Sequence, residues 1–299
     1  MKVLAQLVTE ALKNKPEYLG LESVLEKELL QLDILSVLKN EGLFERLTFI
    51  GGTSLRLCYD SNRLSEDLDF TAGVDFKPSS FSGLSARLKE TLESKYSCPV
   101  GVSTPIDSEK DTSSWRVTIS KDSDRKDLPS QKMHIDVCAY NSFEKVHKPV
   151  LDHYLLRPGM GGYLIPVQSL DEILADKMVA FAFRARRIKP RDLWDIAWLN
   201  QRRAKLSPSL VLKKLEARGK DVGEFESLIN RHCDLVKSNQ EVKSDFHQEM
   251  SRFLPSAIKK NTLDDPAFWD YLVNEIVSTS KTLLEDLGGP LPKRGKFEL

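Results

Sequence analysis

The sequence predicts an α/β (α+β) protein, with helices around a small mixed sheet in residues 1–165 and a helical domain in 166–299. Three observations carry this. Short runs that alternate polar and apolar residues recur between residues 47 and 139, as half-buried strands do. From residue 169 onward the apolar residues return at helical spacing. A chain of 299 residues also fits two domains of ordinary size.

Composition narrows the class. Lys and Arg total 44, Asp and Glu total 44, and the net charge is zero. With 40% hydrophobic and 29% charged residues the chain is globular rather than disordered. No apolar run approaches 18 residues, which predicts no membrane-spanning helix. The N-terminal MKVLAQLVTEALKNK lacks the apolar run and cleavage site of a signal peptide. Cys58, Cys98, Cys138 and Cys233 lie far apart and form no CxxC pair. Together these features predict a cytoplasmic protein with reduced thiols, without a zinc ribbon or disulfide framework. Neutrality excludes a wholly basic nucleic-acid binder but leaves room for a local basic patch.

Element by element, residues 21–41 place leucines at helical spacing, and Gly42 stops that helix. Leu47–Ile50 reads as a strand, Gly51-Gly52 as a sharp turn, and Thr53 or Ser54 as the cap of a short helix Leu55–Tyr59. Asp67–Phe70 is a strand, 71–83 a loop and 84–95 an amphipathic helix. Trp115, Val117 and Ile119 mark one strand face, the polar stretch Lys121–Gln131 turns the chain, and Met133–Ala139 makes another strand. Residues 141–168, with Pro158, Gly159, Gly161, Gly162 and Pro166, read as irregular and contain the domain boundary. Ser169-x-x-Glu172 is a capping box for a helix to about Arg186. Pro190 interrupts, and a helix follows over Arg191–Arg203. Later helices start at Ser207-Pro208 and Asp265-Pro266, the second ending at Gly288-Gly289-Pro290 before a loose tail.

The chemistry concentrates in IGGTSLRLCYDSNRLSEDLDF, residues 50–70. On a strand Asp67 and Asp69 point to one face while Leu68 and Phe70 point to the core. Two carboxylates so close repel, and a divalent cation removes the repulsion; Mg²⁺ prefers oxygen ligands together with substrate phosphates. Taken alone, such a pair is also an ordinary solvated strand face. Its context favours chemistry. The Gly51-Gly52 turn at a helix start offers free backbone N–H groups to a phosphate, and Ser54 a further hydroxyl donor. On that reading Gly52→Val cuts nucleotide affinity with little loss of stability. A third carboxylate, Asp136, sits mid-strand in His134-Ile-Asp-Val-Cys138, and His134 alternates onto its face. Three carboxylates on neighbouring strands suit a two-metal site for phosphoryl or nucleotidyl transfer.

Gly51, Gly52, Thr53, Leu55, Arg63, Ser65, Asp67, Leu68, Asp69 and Phe70 resemble the opening motif of the AbiEii/AbiGii family, within the polymerase-β-like nucleotidyltransferase superfamily. Residues 170–199, LDEILADKMVAFAFRARRIKPRDLWDIAWL, resemble the family's later motif, with Lys177, Arg191, Asp192 and Asp195 at the matching positions. The resemblance covers about residues 20–200. It implies a polymerase-β-like domain and a nucleotidyltransferase toxin of type IV toxin–antitoxin and abortive-infection systems, which serve antiviral defence. By the same resemblance Asp67, Asp69 and Asp136 hold Mg²⁺ or Mn²⁺. Gly51, Gly52, Thr53, Ser54, Arg56, Ser65, Lys177, Arg191 and Asp192 take the NTP, and Asp136, Lys177 and Asp195 join the catalytic set. The implied acceptor is the 3′ end of tRNA. The implied partner is an antitoxin, a winged-helix regulator that does not bind the toxin tightly.

Lys177 would reach the triphosphate from a helix of the C-terminal domain, making the site an interdomain cleft, with Asp195 orienting Lys177 or Arg191. A plain Arg191–Asp195 surface pair is the competing account. From Lys177 to Lys205 nine basic residues face two acidic ones. Such a field attracts phosphates, so Arg184, Arg186, Arg187 and Lys189 are expected at RNA. Phe181, Phe183, Trp194 and Trp198 read as core. The histidines show no HExxH spacing, and there is no GxxxxGK[ST] or GxSxG. A small molecule or a protein hydroxyl as acceptor, or a non-catalytic NTP- or RNA-binding module, remain as alternatives.

Overall fold

A computed structural model describes residues 2–105, 111–120, 130–156, 163–184 and 187–288. Most of the expected turn 121–131, the residues Pro158 to Gly162, Arg186, and the tail from Gly289 lie outside the described residues. The chain divides into two compact units, Met1–Ser169 with Ser251–Asp264, and Leu170–Met250 with Asp265–Leu299.

The first unit runs α1 (Lys2–Asn14), α2 (Glu22–Asn40), β1 (Thr48–Ile50), α3 (Gly51–Tyr59), β2 (Leu68–Thr71) and α4 (Leu84–Tyr96). It continues with β3 (Val100–Val102), β4 (Thr112–Ile119), β5 (Gln131–Cys138), β6 (Lys145–Pro149) and β7 (Leu164–Gln168). The second unit holds α5 (Leu170–Phe183), α6 (Pro190–Gln201), α7 (Pro208–Ala217), α8 (Val222–Ser238) and α9 (Gln240–Met250). The chain then returns to the first unit for α10 (Ser256–Lys260), and α11 (Pro266–Gly288) rejoins the second. No described helix is long and apolar enough to cross a membrane.

The seven strands form one mixed sheet in the order β3-β4-β5-β2-β1-β7-β6. β2 runs parallel to β5 and antiparallel to β1, and β1 runs parallel to β7. Alternation decides the faces. Trp115, Val117 and Ile119 on β4 and Met133, Ile135 and Val137 on β5 are buried, in one cluster with Leu88 and Leu92 of α4. Helix α2 buries residues all round, so four of its polar side chains are interior. Each meets a partner: Gln31 donates to the Ser65 carbonyl (3.1 Å), Asp33 accepts from Lys95 (2.6 Å), Glu26 accepts from Gln131, and Glu28 pairs with Arg56.

Three expectations change. Residues 141–168 are not irregular: β6 and β7 lie there, and β3 went unforeseen. Pro149 and Pro166 hide the two strands, because proline cannot donate to a ladder. Pro149 is tolerated on the edge strand β6, and β1 reaches β7 only through Phe49 opposite Val167. Helix α3 begins at Gly51 rather than Leu55, with Ile50 at its cap and no side-chain cap bond. Helix α5 ends at Phe183, short of Arg186, and Ser169 donates its hydroxyl to Glu144 (2.8 Å) while Glu172 meets Lys214. Pro190 opens α6 at its first turn, where a missing N–H costs nothing.

Arg56 is the main polar tie of the first unit. It is 2% exposed and its Nε lies 3.0 Å from an oxygen of the fully buried Glu28. Its Nη1 donates to the Ser61 carbonyl and its Nη2 to the Tyr18 hydroxyl, both at 3.0 Å. Burial opposes its charge, but Glu28 and the nearby tyrosines outweigh that and hold its pKa above the ordinary value. Removing one member of a buried pair strands the other charge, at a cost of about 3–5 kcal/mol. Arg56→Met should therefore destabilise the protein by that amount in urea unfolding, and Arg56→Met/Glu28→Met should recover most of the loss.

Candidate active site

Register brings the acidic residues together. Across β4, β5, β2 and β1, Ser114 stands opposite Asp136, Asp136 opposite Asp69, and Asp69 opposite Ile50. Leu68 and Phe70 are fully buried on one face of β2, so Asp69 lies on the other, half-buried. Ile135 and Val137 do the same on β5, leaving His134 and Asp136 on the face of Asp69. Neighbouring strands lie about 4.8 Å apart, which keeps these two carboxylates within mutual reach. Asp67 precedes β2, and its Oδ1 accepts from the His134 backbone N–H at 3.0 Å. The His134 ring Nδ1 is 3.4 Å from the same oxygen, so His134 touches Asp67 by backbone and ring alike.

Geometry explains both glycines. Gly51 has φ +76°, and a Cβ there would stand 2.7 Å from Asp69 Oδ2. At Gly52 a Cβ would meet the Arg63 guanidinium, 3.0 Å from Cζ and closer still to Nη2. Arg63 is itself buried, and its Nη1 donates to the Leu64 carbonyl (3.1 Å). The turn therefore presses the start of α3 against β2 on one side and against Arg63 on the other. Since no side chain caps α3, its first-turn N–H groups keep the donors a phosphate needs.

Other expected nucleotide contacts have structural partners. The Thr53 hydroxyl donates to the Asp67 carbonyl, and the Ser54 hydroxyl to the Gly51 carbonyl at 2.8 Å. Both side chains are fully buried, so each proton is committed to the backbone. Ser65 is buried above Gln31. Arg56, expected at the nucleotide, is the interior tie to Glu28 described above.

Among the described residues no group of three His, Cys, Asp or Glu side chains is gathered to hold a metal ion unaided. The donor set nevertheless fits Mg²⁺. It consists of hard carboxylate oxygens, and Mg²⁺ sites ordinarily use one or two of these, completed by water and substrate phosphates.

In the second unit, Lys177 is 13% exposed and lies 2.8 Å from Asp192 Oδ1 and 2.7 Å from Asp195 Oδ2. Asp195 thus pairs with Lys177. Asp192 also accepts from Arg184 Nε at 3.0 Å. Burial works to raise the Asp192 pKa, but Lys177 and Arg184 outweigh it and bring the carboxyl down to about 2. Arg191 donates to Glu249 (3.1 Å), and Arg187 pairs with Glu249 (2.8 Å) and Asp245. Much of the basic stretch is therefore neutralised inside its own unit, although Arg184 and Arg187 stay nearly half exposed, at 43% and 48%. Lys189 precedes α6 as its cap, and Arg186 lies outside the described residues. Phe181, Trp194 and Trp198 are core, with Trp194 5.8 Å from the Phe268 ring.

The family model for the nucleotidyl transferase AbiEii toxin, type IV TA system, matches residues 33–274. The chain belongs to the AbiEii family. It is a nucleotidyltransferase of the type IV toxin–antitoxin class. Among solved structures it is similar to MenT4, a nucleotidyltransferase toxin from Mycobacterium tuberculosis, at 17% identity over 93% of this chain and 89% of that one, with a TM-score of 0.52. JHP933 from Helicobacter pylori shares 18% identity over 88% of this chain and 93% of that one, with a TM-score of 0.45. No curated protein matches.

Three residues of this AbiEii chain were not singled out from the sequence. Arg63 appeared only as a motif match, and its packing against Gly52 is a tertiary contact without a local pattern. Ser114 and Arg116 alternate with the buried Trp115 and Val117, a readable signal, but only the register places them opposite Asp136 and His134.

The contact with Arg63 corrects the expectation for Gly52→Val, because the side chain would displace a buried arginine before it met any phosphate. The variant should lose stability by about 1–3 kcal/mol, the range for overpacking. A melting temperature equal to the parent's would show that Arg63 has somewhere else to go. The Asp192 shift gives a pH prediction. A carboxyl lowered from about 3.9 to about 2 adds stability that is complete above about pH 5 and is lost as the pH falls through about 2. The stability gap between wild type and Asp192→Asn in urea should shrink over that window and stay constant from pH 5 to 7.

Proposed function

We propose that this enzyme transfers a nucleotide from an NTP to the 3′ end of a tRNA, releases pyrophosphate, and so inhibits growth until a cognate antitoxin, a winged-helix regulator without tight binding to the toxin, counters it in the cytoplasm. One observation carries the transfer chemistry: Asp69 and Asp136 stand in register on adjacent strands beside a glycine turn that opens a helix without a side-chain cap. A purely structural face has no use for two facing carboxylates at the start of such a helix.

The residues divide the work. First-turn N–H groups of α3 bind a phosphate of the NTP. Asp67 and Asp69 would hold Mg²⁺ or Mn²⁺, which when bound neutralises the triphosphate and the facing carboxylates. The His134 N–H fixes one oxygen of Asp67 and leaves the other for the ion. Asp136 accepts the proton of the acceptor hydroxyl as its oxygen attacks the α-phosphorus. The bond to the bridging oxygen then breaks, and pyrophosphate leaves.

The test combines labelling and mutation. Each α-labelled NTP is incubated with the protein and total tRNA. Label on RNA supports the reading, while label on protein or on a small molecule moves the acceptor to that class. General-base catalysis contributes about 10²–10⁴-fold. Asp136→Asn should therefore lose transfer by that factor with NTP affinity little changed. Full activity in that variant would remove Asp136 from the mechanism.

A further inference from the structure

The second unit contains a cavity of about 720 Å³ whose lining includes Arg184 and Arg187 but none of the acidic residues proposed for transfer. One face of α8 forms its wall, with Leu228, His232 and Leu235, and the end of α5 adds Phe183. The volume falls within the roughly 300–1,000 Å³ of small-molecule sites. Its rim carries four cations, Arg184, Arg187, Lys220 and Arg231, against three carboxylates, Glu224, Glu241 and Asp245. Lys220 and Arg231 line it and have no ion pair among the described residues, and Lys220 Nζ sits 5.0 Å from the centre of the Phe183 ring. Arg184 and Arg187 also line it, each paired on one side and nearly half exposed. Of its carboxylates, Asp245 is neutralised by Arg187, while Glu224 and Glu241 stand on exposed turns of α8 and α9.

His232 adds direction. It is buried, and its Nδ1 lies 2.6 Å from the Phe181 carbonyl, which accepts only, so Nδ1 carries the proton. In the neutral ring the opposite nitrogen, Nε2, is left as an acceptor, and His232 lines the cavity. Apolar wall, one buried acceptor and two rim cations without an ion pair among the described residues together describe a ligand with a flat, N–H-bearing ring at one end and a phosphate at the other.

We propose that this cavity binds a nucleoside monophosphate group, base inward toward Phe183, Leu228 and His232, phosphate at Lys220 and Arg231. The group is either a free nucleotide or one nucleotide of an RNA chain, and only the RNA source rests on the acceptor reading above. The test uses the full chain with two probes, a fluorescent AMP derivative and a short fluorescein-labelled single-stranded RNA, followed by anisotropy. Lys220→Glu/Arg231→Glu should weaken binding by about tenfold or more, the equivalent of one charge-assisted contact. For the RNA probe it should also flatten the salt dependence. His232→Phe, which keeps the ring's size, should weaken binding without changing the salt slope. Competition by free AMP identifies a free-nucleotide site, and binding of RNA alone identifies an RNA site. No binding of either probe overturns the proposal, as does binding that is unchanged in both variants once their melting curves match the parent's. Transfer is scored in parallel. Probe binding without transfer to tRNA overturns the acceptor reading and leaves the cavity in place, whereas transfer with unchanged probe binding in both variants overturns the cavity.

Discussion

Two positions where no Cβ fits govern the first unit. Gly51 lets the chain turn with positive φ hard against Asp69, and Gly52 lets the Arg63 guanidinium lie on the backbone. These approaches seat the first turn of α3 beside β2, and the Thr53 hydroxyl fastens that turn to the carbonyl of Asp67. The acidic residues are therefore positioned by close packing of backbone, not by long side chains reaching into a loop. Such packing tolerates little relaxation, because protein interiors are filled to crystal-like density.

Charge is handled differently in the two units. In the first, the candidate-site carboxylates stay half exposed on a strand face, and interior charges are tied off separately through Arg56 and Glu28. In the second, several of the positive residues are matched by neighbours. Lys177 lies between Asp192 and Asp195, Lys214 meets Glu172 and Asp176, and Arg187 reaches Asp245 and Glu249. A run of cations in the sequence is thus a poor measure of the field outside the protein, since acidic partners up to 62 residues away cancel much of it.

Legibility followed the range of the interactions. The strand ends around Asp69 and Asp136, the helix over α2 and the Pro208 and Pro266 helix starts depend on periodicity and local caps, and they could be read directly. β6 and β7 could not, because each carries a proline and β7 joins the sheet by pairing with the distant β1. At the candidate site, the residue types and their spacing were visible, whereas the duties of Arg56, Thr53 and Ser54 were not. A motif records that a residue is needed, not whether it touches substrate or Glu28. Arg63 shows the same limit, since its value lies in filling the space above Gly52.

The discontinuity of the first unit bears on how the protein is made. The loop between α3 and β2 holds Arg63 and leads to Asp67, and it is closed by the Leu64 N–H donating to the Phe253 carbonyl at 2.8 Å. Phe253 is itself buried in the hydrophobic cluster of the first unit. Domains emerging from the ribosome generally fold as units from the N-terminal end. Here the N-terminal unit lacks its last piece until the chain has passed residue 264, after the Leu170–Met250 stretch of the second unit has been synthesised. A nascent or truncated chain therefore carries every acidic residue of the site without the segment that closes the loop beside them. Vectorial synthesis thus delays completion of the N-terminal unit until a long insertion from the second unit has been made.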